Sequence, residues 1–181
     1  MRTIPRAPAR LRLPIERLWN GAPCDLPLRG AVELSVAGDA LELRASLAQP
    51  GLPRVPAAPR GTRVDGLWVY DVVECFLAGA GGRYLELELG ADGHWLALSF
   101  DAPRVRADAH ERLALAVSSG RAPGAGWWAR TAVPLALLPP GLSAVNAFAI
   151  AAGRFLAHHS VPGPAPDFHQ PASFPSVRLF R

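Results

Sequence analysis

The fold class follows from one segment of the chain, Leu67-Trp68-Val69-Tyr70-Asp71-Val72-Val73-Glu74-Cys75-Phe76-Leu77. It is rich in β-branched and aromatic residues, and Asp65-Gly66 and Gly79 bound it, which predicts a β-strand. Both sets of alternate residues are mostly apolar, so both faces of the strand should be covered. Asp71 and Glu74 are three residues apart and therefore point to opposite faces. A carboxylate on such a strand needs a partner, a ligand or access to solvent.

Two hairpins are predicted, one on either side of this strand in the sequence. In the first, apolar and polar residues alternate over residues 32–36 and 41–47, and Gly38-Asp39 supplies the turn. In the second, the alternation runs over residues 84–100 with a turn at residues 90–93. Glycine next to aspartate is typical of the tight turns that join antiparallel strands. Alternation of this kind predicts strands with one apolar face.

Shorter segments predict the remaining elements. They are strands at 112–118, 127–133, 145–150 and 176–181, loops at 49–66 and 120–126, and one helical turn at 134–138. Many short strands separated by turns favour a sandwich of two sheets. The sequence therefore predicts an all-β fold, a two-sheet antiparallel β-sandwich of the jelly-roll or immunoglobulin-like kind.

The first part of the chain differs in composition from the rest. Residues 1–30 are rich in proline and arginine, and we expect an arm that packs on a single domain formed by residues 31–181. All 19 basic residues are arginine, and the formal net charge is +4. The arm lacks the interleaved aromatic residues and the motifs of nucleic-acid-binding proteins, so we expect no nucleic-acid partner.

The cellular compartment is inferred from what the sequence lacks. Two cysteines, Cys24 and Cys75, are too few to indicate a disulfide framework. The N-terminus carries no uninterrupted apolar segment of the kind found in signal peptides. No apolar run approaches the ~20 residues that a membrane-spanning helix needs. We therefore expect a cytoplasmic protein without membrane contact, and the sequence does not indicate its oligomeric state.

Three segments resemble one group of ligand-binding sandwiches. Residues 67–77 resemble the W-x-x-D-x-V-E-x-F strand of the family nine carbohydrate-binding modules, and residues 84–95 resemble the hairpin that follows it. The tail segments 158–162 and 166–174 are similar to an uncharacterised bacterial branch of DOMON-like proteins related to these modules. The resemblance covers residues 30–181.

The resemblance implies a DOMON-like β-sandwich that binds a ligand, commonly a sugar, and does not catalyse a reaction. In the sugar-binding members, a tryptophan at the start of the central strand stacks on the sugar, and a glutamate of that strand accepts hydroxyl hydrogen bonds. These roles fall on Trp68 and Glu74, and an asparagine of a later strand corresponds to Asn146. The chain has no second tryptophan near Asn146, where Phe148 is the nearest aromatic residue.

The spacing of a β-strand restricts this hypothesis. Trp68 and Glu74 are six residues apart, which is ~20 Å along a straight strand and too far for contact with one small sugar. The strand must then bend or begin after Trp68. The alternative is that Trp68 packs beneath the proline-containing loop at residues 49–66 and that Glu74 pairs with an arginine such as Arg83 or Arg130.

The other acidic residues and one histidine are expected to have structural roles. Asp71 should bind backbone N–H groups or orient a loop. The resemblance marks Asp167 and His169 as further anchors, and we expect them to hold the tail loop by hydrogen bonds. Glu86 and Glu88 alternate with leucines, so we expect them on a solvated face of their strand.

The histidines leave open a haem- or metal-binding redox domain, because imidazole and carboxylate groups bind zinc and iron. The candidate ligands are His158, His159 and His169. The adjacent pair should point in opposite directions on a strand. Met1 is the only methionine, which excludes haem ligation by a methionine and a histidine. We therefore expect no cofactor.

The sequence contains no motif of a serine hydrolase, a zinc protease or a phosphate-binding loop, so it does not predict an enzyme. The leading hypothesis is a non-catalytic sandwich that binds a small polar ligand, with a carbohydrate as the candidate, through Trp68, Glu74 and Asn146. Two alternatives stay open. One is a protein–protein interaction module that uses an exposed sheet face, and the other is the haem- or metal-binding domain.

Overall fold

The computed structural model describes residues 1–122 and 126–180, which form fourteen strands and four 3-10 helices. The strands are β1 (Arg2–Ile4), β2 (Leu11–Ile15), β3 (Arg17–Leu18), β4 (Arg29–Ala37), β5 (Ala40–Ala48), β6 (Val72–Ala78), β7 (Tyr84–Gly90), β8 (Trp95–Ala102), β9 (Val105–Asp108), β10 (Ser118–Ala122), β11 (Gly126–Pro134), β12 (Ala144–Ala151), β13 (Arg154–Ala157) and β14 (Val177–Leu179). The 3-10 helices are Leu67–Val69, Ala80–Gly82, Leu135–Leu137 and Pro171–Ser173. No helix in these residues is long and apolar enough to cross a membrane.

The strands form two antiparallel sheets, as predicted. The seven-stranded sheet has the order β3-β13-β12-β6-β7-β8-β9, and the five-stranded sheet has the order β10-β11-β5-β4-β2. A separate parallel pair joins β1 to β14. Strand β6 lies at the centre of the seven-stranded sheet, between β12 and β7. The prediction of an all-β sandwich is confirmed.

Strand β6 is buried on both faces because each face belongs to a different apolar cluster. Val73, Cys75 and Leu77 belong to the main core, together with the apolar residues of the five-stranded sheet. Val72 and Phe76 belong to a second cluster on the opposite face, which we call the outer face of the seven-stranded sheet. Side chains from the loops before β6 and after β13 cover this outer face. The prediction that both sides of the strand are covered is therefore confirmed.

The predicted start of this strand is wrong. Leu67–Val69 is a 3-10 helix, and the strand begins at Val72. Gly66 enters the 3-10 helix with a positive φ of 70°, which glycine adopts without strain. The Tyr70 N–H then donates to the Leu67 carbonyl. β-propensity predicts a strand here, and the local turn overrides it.

Both predicted hairpins are confirmed. Strands β4 and β5 pair from Arg29 opposite Ala48 to Ala37 opposite Ala40. The two residues between them are Gly38 and Asp39, and Gly38 has a φ of 58°. Strands β7 and β8 pair in the same antiparallel manner across the 91–94 turn. In both hairpins, period-two alternation and a glycine-containing turn identify the two strands.

Three other predictions differ from the structure. Residues 112–117 form no strand, and the Ala116 carbonyl there accepts a hydrogen bond from the Thr131 hydroxyl instead of a ladder N–H. Strand β10 begins at Ser118 and runs into the predicted 120–126 loop, of which residues 123–125 lie outside the described residues. The short strands β9 and β13 are not predicted at all. The helical turn predicted at 134–138 is present as Leu135–Leu137.

The N-terminal arm is built into the sandwich. Strand β2 is an edge strand of the five-stranded sheet, paired with β4, and Pro14 occupies this edge, where proline is tolerated. Ile4, Leu13 and Ile15 are fully buried in the main core. Strand β14, predicted at residues 176–181, pairs with β1 and so ties the two ends of the chain together.

Candidate functional site

A pocket of about 580 Å³ lies on the outer face of the seven-stranded sheet. Its floor is the surface of β6, β7 and β8, and its walls come from the β8–β9 turn, strand β13 and the loop at residues 166–169. The side chains that characterise it are Trp68, Glu74, Glu86, Arg104, Arg106 and Phe155. The structure therefore brings together two of the three predicted ligand-binding residues.

Trp68 reaches the pocket because it precedes the strand. It lies in the Leu67–Val69 3-10 helix and is 41% exposed. The distance along a straight strand therefore does not separate it from Glu74, which lies within β6 and lines the same pocket. Of the two conditions set by the sequence, a bent strand or a strand that begins after Trp68, the structure shows the second.

Phe155 is a second exposed aromatic residue at the pocket. It is 38% exposed and lies in β13, opposite Ile150 of β12. Ile150 is in turn opposite Val72 of β6, so these residues share the outer face of the sheet. Phe155 is not predicted as a site residue because it lies in a strand of only four residues. The only local signal is the turn at Ala152-Gly153, where both residues have a positive φ.

Glu86 and Glu88 are not on a solvated face, and that prediction is wrong. They are 3% and 1% exposed, and Glu74 is 2% exposed. The leucines of β7 face the main core as expected, but the outer face is covered as well. Glu74 of β6 lies directly opposite Glu88 of β7. The sheet therefore places three buried carboxyl groups side by side.

These three groups lack partners for most of their oxygens. Among the described residues, Glu74 Oε1, Glu86 Oε2 and both oxygens of Glu88 have no hydrogen-bond partner. Glu86 and Glu88 are close enough for each to shift the pKa of the other. A buried acceptor without a donor is costly, so the floor of the pocket favours a ligand that supplies donors.

Burial and mutual repulsion change the acidity of the three groups. Burial raises the pKa of Glu86 to about 7. Burial also raises the pKa of Glu74 and that of Glu88 well above the usual range, and repulsion from the neighbouring glutamates adds to both. Arg106 acts in the opposite direction on Glu86 and Glu88. The floor therefore holds protons at neutral pH that exposed carboxyls would release.

Neither arginine named in the alternative hypothesis pairs with Glu74. Arg83 forms an ion pair with Asp101, with 3.2 Å between Nε and Oδ1. The guanidinium of Arg130 lies 5.9 Å from the centre of the Trp128 ring, on the five-stranded sheet. This correction follows from the topology, because β11 and β6 belong to different sheets.

Asn146 is not in the lining of the pocket. Its side chain is fully buried on β12, opposite Phe76. Its Nδ2 donates to the His159 carbonyl at 2.9 Å, and its Oδ1 accepts from the His159 N–H at 3.0 Å. The amide thus binds both backbone groups of one residue. This arrangement fixes the segment that follows β13 against the sheet.

Asp167 and His169 hold the loop that forms one wall of the pocket. Asp167 Oδ1 accepts from the Arg104 guanidinium at 2.8 Å and from the His169 N–H at 3.0 Å. The Tyr84 hydroxyl accepts from the Arg104 backbone N–H at 3.0 Å and lies 2.7 Å from His169 Nδ1. The hydroxyl and Nδ1 share one hydrogen bond, whose direction depends on the tautomer of the imidazole.

The acidity of this cluster agrees with a neutral imidazole. Burial, with the Arg104 charge as the second cause, lowers the pKa of His169 to about 4. Burial raises the pKa of Tyr84 to about 12, so its hydroxyl stays protonated. We call Tyr84, Arg104, Asp167 and His169 the loop latch. The latch joins β7, the β8–β9 turn and the tail loop into one wall.

Asp71 lies on the opposite side of β6 from Glu74 and is buried. Its Oδ2 accepts from Gln49 Nε2 at 2.7 Å and from the Arg54 N–H at 3.0 Å. The Asp71 N–H donates to the Arg54 carbonyl at 3.1 Å. The carboxylate therefore fastens the proline-containing loop to the chain just before β6, which also positions Trp68.

The histidines proposed as metal ligands have other partners or lie apart. His158 Nδ1 is 2.8 Å from the Pro14 carbonyl, and its Nε2 is 2.7 Å from Arg2. His169 belongs to the loop latch. Over residues 1–122 and 126–180, no group of three or more His, Cys, Asp or Glu side chains is placed to hold a metal ion.

Two sequence relatives of this chain are animal proteins. The UPF0462 protein C4orf33 homolog of Danio rerio is 28% identical over 177 aligned residues, which cover 91% of this chain and 87% of the relative. The UPF0462 protein C4orf33 of Homo sapiens is 28% identical over 167 residues, with coverages of 86% and 81%. No protein-family model matches the sequence. These relatives do not support the expected bacterial branch.

Solved structures share the fold over nearly the whole chain. A candidate carbohydrate-binding protein from Bacteroides uniformis ATCC 8492 has a TM-score of 0.75 and 15% identity, with 99% of each chain covered. A family 9 carbohydrate-binding module from Caldicellulosiruptor kristjanssonii in complex with cellotriose has a TM-score of 0.65 and 15% identity, with 98% of this chain and 92% of that one covered.

A family 9 module from the same organism in complex with glucose has a TM-score of 0.56 and 16% identity, covering 99% of this chain and 96% of the other. At such identities the likeness shows the β-sandwich fold and nothing finer. The fold of these modules is the one that the sequence motifs predict. A DOMON relationship is not shown by these comparisons.

Proposed function

We propose that this chain binds a small carbohydrate in the pocket on the outer face of the seven-stranded sheet and does not catalyse its conversion. One observation carries the proposal. Two exposed aromatic side chains, Trp68 and Phe155, lie at the same pocket as buried carboxyl oxygens of Glu74 and Glu86 that have no partner among the described residues.

The chemistry of a pyranose ring suits this arrangement. Its C–H face is apolar and packs on aromatic rings, while its hydroxyl groups donate hydrogen bonds sideways. Trp68 and Phe155 supply the aromatic surface. Glu74 and Glu86 supply acceptors on the floor of the pocket. The pocket volume of about 580 Å³ falls within the usual size of small-molecule sites.

In this proposal Asn146 and Asp71 position the site and do not touch the ligand. Asn146 fixes the segment after β13, and Asp71 fixes the loop before β6. The structural likeness to modules solved with cellotriose and glucose supports a sugar as the ligand class.

Binding is tested by calorimetry and by thermal unfolding with glucose, cellotriose and a wider sugar panel. A ligand that binds the folded state raises Tm, so at least one sugar should stabilise the protein. We expect Trp68→Ala and Phe155→Ala each to weaken binding by about tenfold, because each removes an aromatic stacking surface.

Trp128→Ala is the matched control, since this tryptophan lies on the five-stranded sheet between Arg44 and Arg130. It should leave sugar affinity unchanged. The proposal is wrong if no sugar changes Tm, or if neither pocket variant binds more weakly than the control.

A further inference from the structure

The three glutamates of the pocket floor have more free acceptor oxygens than the hydroxyl groups of a neutral sugar satisfy well. Their four oxygens without partners are acceptors, and in the ionised state a carboxylate accepts only. A sugar hydroxyl offers one donor and is itself an acceptor. An ammonium group offers three donors and accepts nothing. Its positive charge is opposite to that of the carboxylates when they ionise.

Resting on the proposed binding function, we propose that the pocket selects a sugar that carries a protonated amine, with the ammonium group on the floor formed by Glu74 and Glu86 and backed by Glu88. Glu74 and Glu86 line the pocket and are almost fully buried. Each has one buried oxygen without a hydrogen-bond partner among the described residues. The site therefore has acceptors and lacks a cation.

The register of the sheet explains why a cation is favoured over a neutral donor. Glu74 is directly opposite Glu88, and Glu86 is two residues from Glu88 on the same face of β7. Like charges directly opposite in a sheet repel. With a neutral ligand the carboxyls avoid that repulsion by keeping their protons. An ammonium group between them offsets the repulsion, so that they ionise and accept its hydrogen bonds.

The other charged groups around the pocket do not fill this role. From the β8–β9 hairpin, Arg104 is held by Asp167 at 2.8 Å, and neither Arg104 nor Arg106 forms an ion pair with the glutamates. From the tail loop, His169 is neutral and bonded to Tyr84. Arg104 and Arg106 lower the pKa of Glu86, but burial outweighs them, so the floor stays protonated near neutral pH until a cation binds beside it.

A bare divalent metal ion fits the site less well than an amine. Calcium takes six to eight oxygen ligands, and the described residues contain no set of side chains placed to hold a metal. Apolar side chains, Leu98, Phe100 and Phe168, also line the pocket with the acids. Such walls suit the carbon skeleton of a sugar and not the hydration shell of an ion.

A protonated amine in the pocket also predicts that the protein releases protons when the ligand binds. A positive charge beside the floor lowers the pKa of the neighbouring carboxyls, so they lose protons when the ligand binds. Binding of a neutral sugar leaves those protons in place. The number of protons released therefore separates the two ligand classes even where their affinities are similar.

The experiment compares glucosamine, N-acetylglucosamine and glucose by calorimetry at about pH 6.5, where a primary amine is protonated. We expect glucosamine to bind about tenfold more tightly than the other two, as for a hydrogen bond to a charged group. Its binding enthalpy should differ between two buffers of unlike ionisation enthalpy, which reports proton release. N-acetylglucosamine is the control for size without charge.

Two isosteric variants, Glu74→Gln and Glu86→Gln, remove charge and keep shape. Each should lower glucosamine affinity by about tenfold and bring it close to that of glucose. Glu111→Gln, an exposed position outside the pocket, is the matched control. Two variants are used so that a folding defect in one does not decide the result.

The outcomes are distinct. Equal affinity for the three sugars, or an amine preference that both pocket variants retain, overturns this inference and leaves the proposed sugar binding standing. Binding of none of the three, together with no response to the wider sugar panel, overturns both. A tighter glucosamine complex that releases protons, and that either pocket variant weakens, supports the inference.

Discussion

At the scale of single residues, this protein maintains three carboxyl groups where burial makes their ionised forms costly. Glu74, Glu86 and Glu88 lie on adjacent strands and have no basic partner among the described residues. Buried acids with strongly shifted pKa values are typical of functional sites. There a ligand supplies the hydrogen-bond donors and the positive charge that the protein itself does not provide. The cost to stability without ligand is measurable.

We predict that the floor glutamates lower the free energy of unfolding as the pH rises from about 5 to about 8, while His169, whose pKa is lowered to about 4, acts in the opposite direction up to about pH 6.5. Below the unfolded pKa, near 4.3, both states hold their protons and stability is fully present. As the pH rises, the unfolded state ionises first, and stability is lost until the folded carboxyls ionise as well. For Glu86, a pKa raised from 4.5 to about 7 corresponds to about 3 kcal/mol.

Denaturant unfolding of the wild type and Glu86→Gln across this pH range checks the sign. The variant should be more stable than the wild type at pH 8 and should show a shallower slope. Glu111→Gln should follow the wild type, because that glutamate is exposed. Identical slopes in wild type and Glu86→Gln would show that Glu86 titrates normally in the folded protein.

At the scale of elements, the walls of the pocket depend on a few hydrogen bonds between distant parts of the chain. The loop latch connects β7 to the tail loop through the Tyr84 hydroxyl, which shares a hydrogen bond with His169 Nδ1 and accepts from the Arg104 N–H. Asn146 and Asp71 play equivalent parts at the other walls. Because these polar groups are shielded from water, each has few other hydrogen-bond partners if its present one is lost.

Tyr84→Phe removes the two latch hydrogen bonds that the Tyr84 hydroxyl makes and keeps the ring. The ring stacks on Phe100 with centroids 4.6 Å apart, so the core packing should persist. We expect a loss of about 1–2 kcal/mol in unfolding free energy. Hydrogen exchange should accelerate at residues 166–170, because the His169 side chain is then unanchored. Tyr70→Phe, at the other tyrosine, should change neither quantity.

The sequence predicts local elements well and burial by distant segments poorly. The two hairpins are predicted because alternation and glycine turns are local signals. The strand start at Val72 is missed because it depends on Gly66 and on the bonds of Asp71 to Gln49 and Arg54, far away in the chain.

The candidate site shows the same division. Trp68 and Glu74 are found through motif resemblance, and the structure places both at the pocket. Glu86 is misjudged, because alternation with leucines identifies its face and cannot show that the loops before β6 and after β13 cover that face. Phe155 and the two arginines of the β8–β9 hairpin lie in short segments with weak local patterns.

At the scale of the whole molecule, the N-terminal arm is part of the sandwich. Strand β1 pairs with β14, and β2 extends the five-stranded sheet. The arm thus contributes strands to the fold and three fully buried side chains to the main core. Removal of a segment that packs only on the surface of a domain leaves the core intact. Removal of the N-terminal arm should disrupt the core, because the arm contributes side chains to it.

Ile4→Ala tests this integration with a single change. Ile4 is fully buried in the main core, so the truncation should lower the unfolding free energy by about 3 kcal/mol through lost burial and a cavity. Leu52→Ala, at a position 89% exposed, should change it by less than about 0.5 kcal/mol. Deletion of residues 1–16 removes β1 and β2 together and should abolish cooperative thermal unfolding. A truncated protein that still melts in one sharp transition near the wild-type Tm would instead make residues 1–16 an appendage, and the sandwich would then be complete without its edge strand.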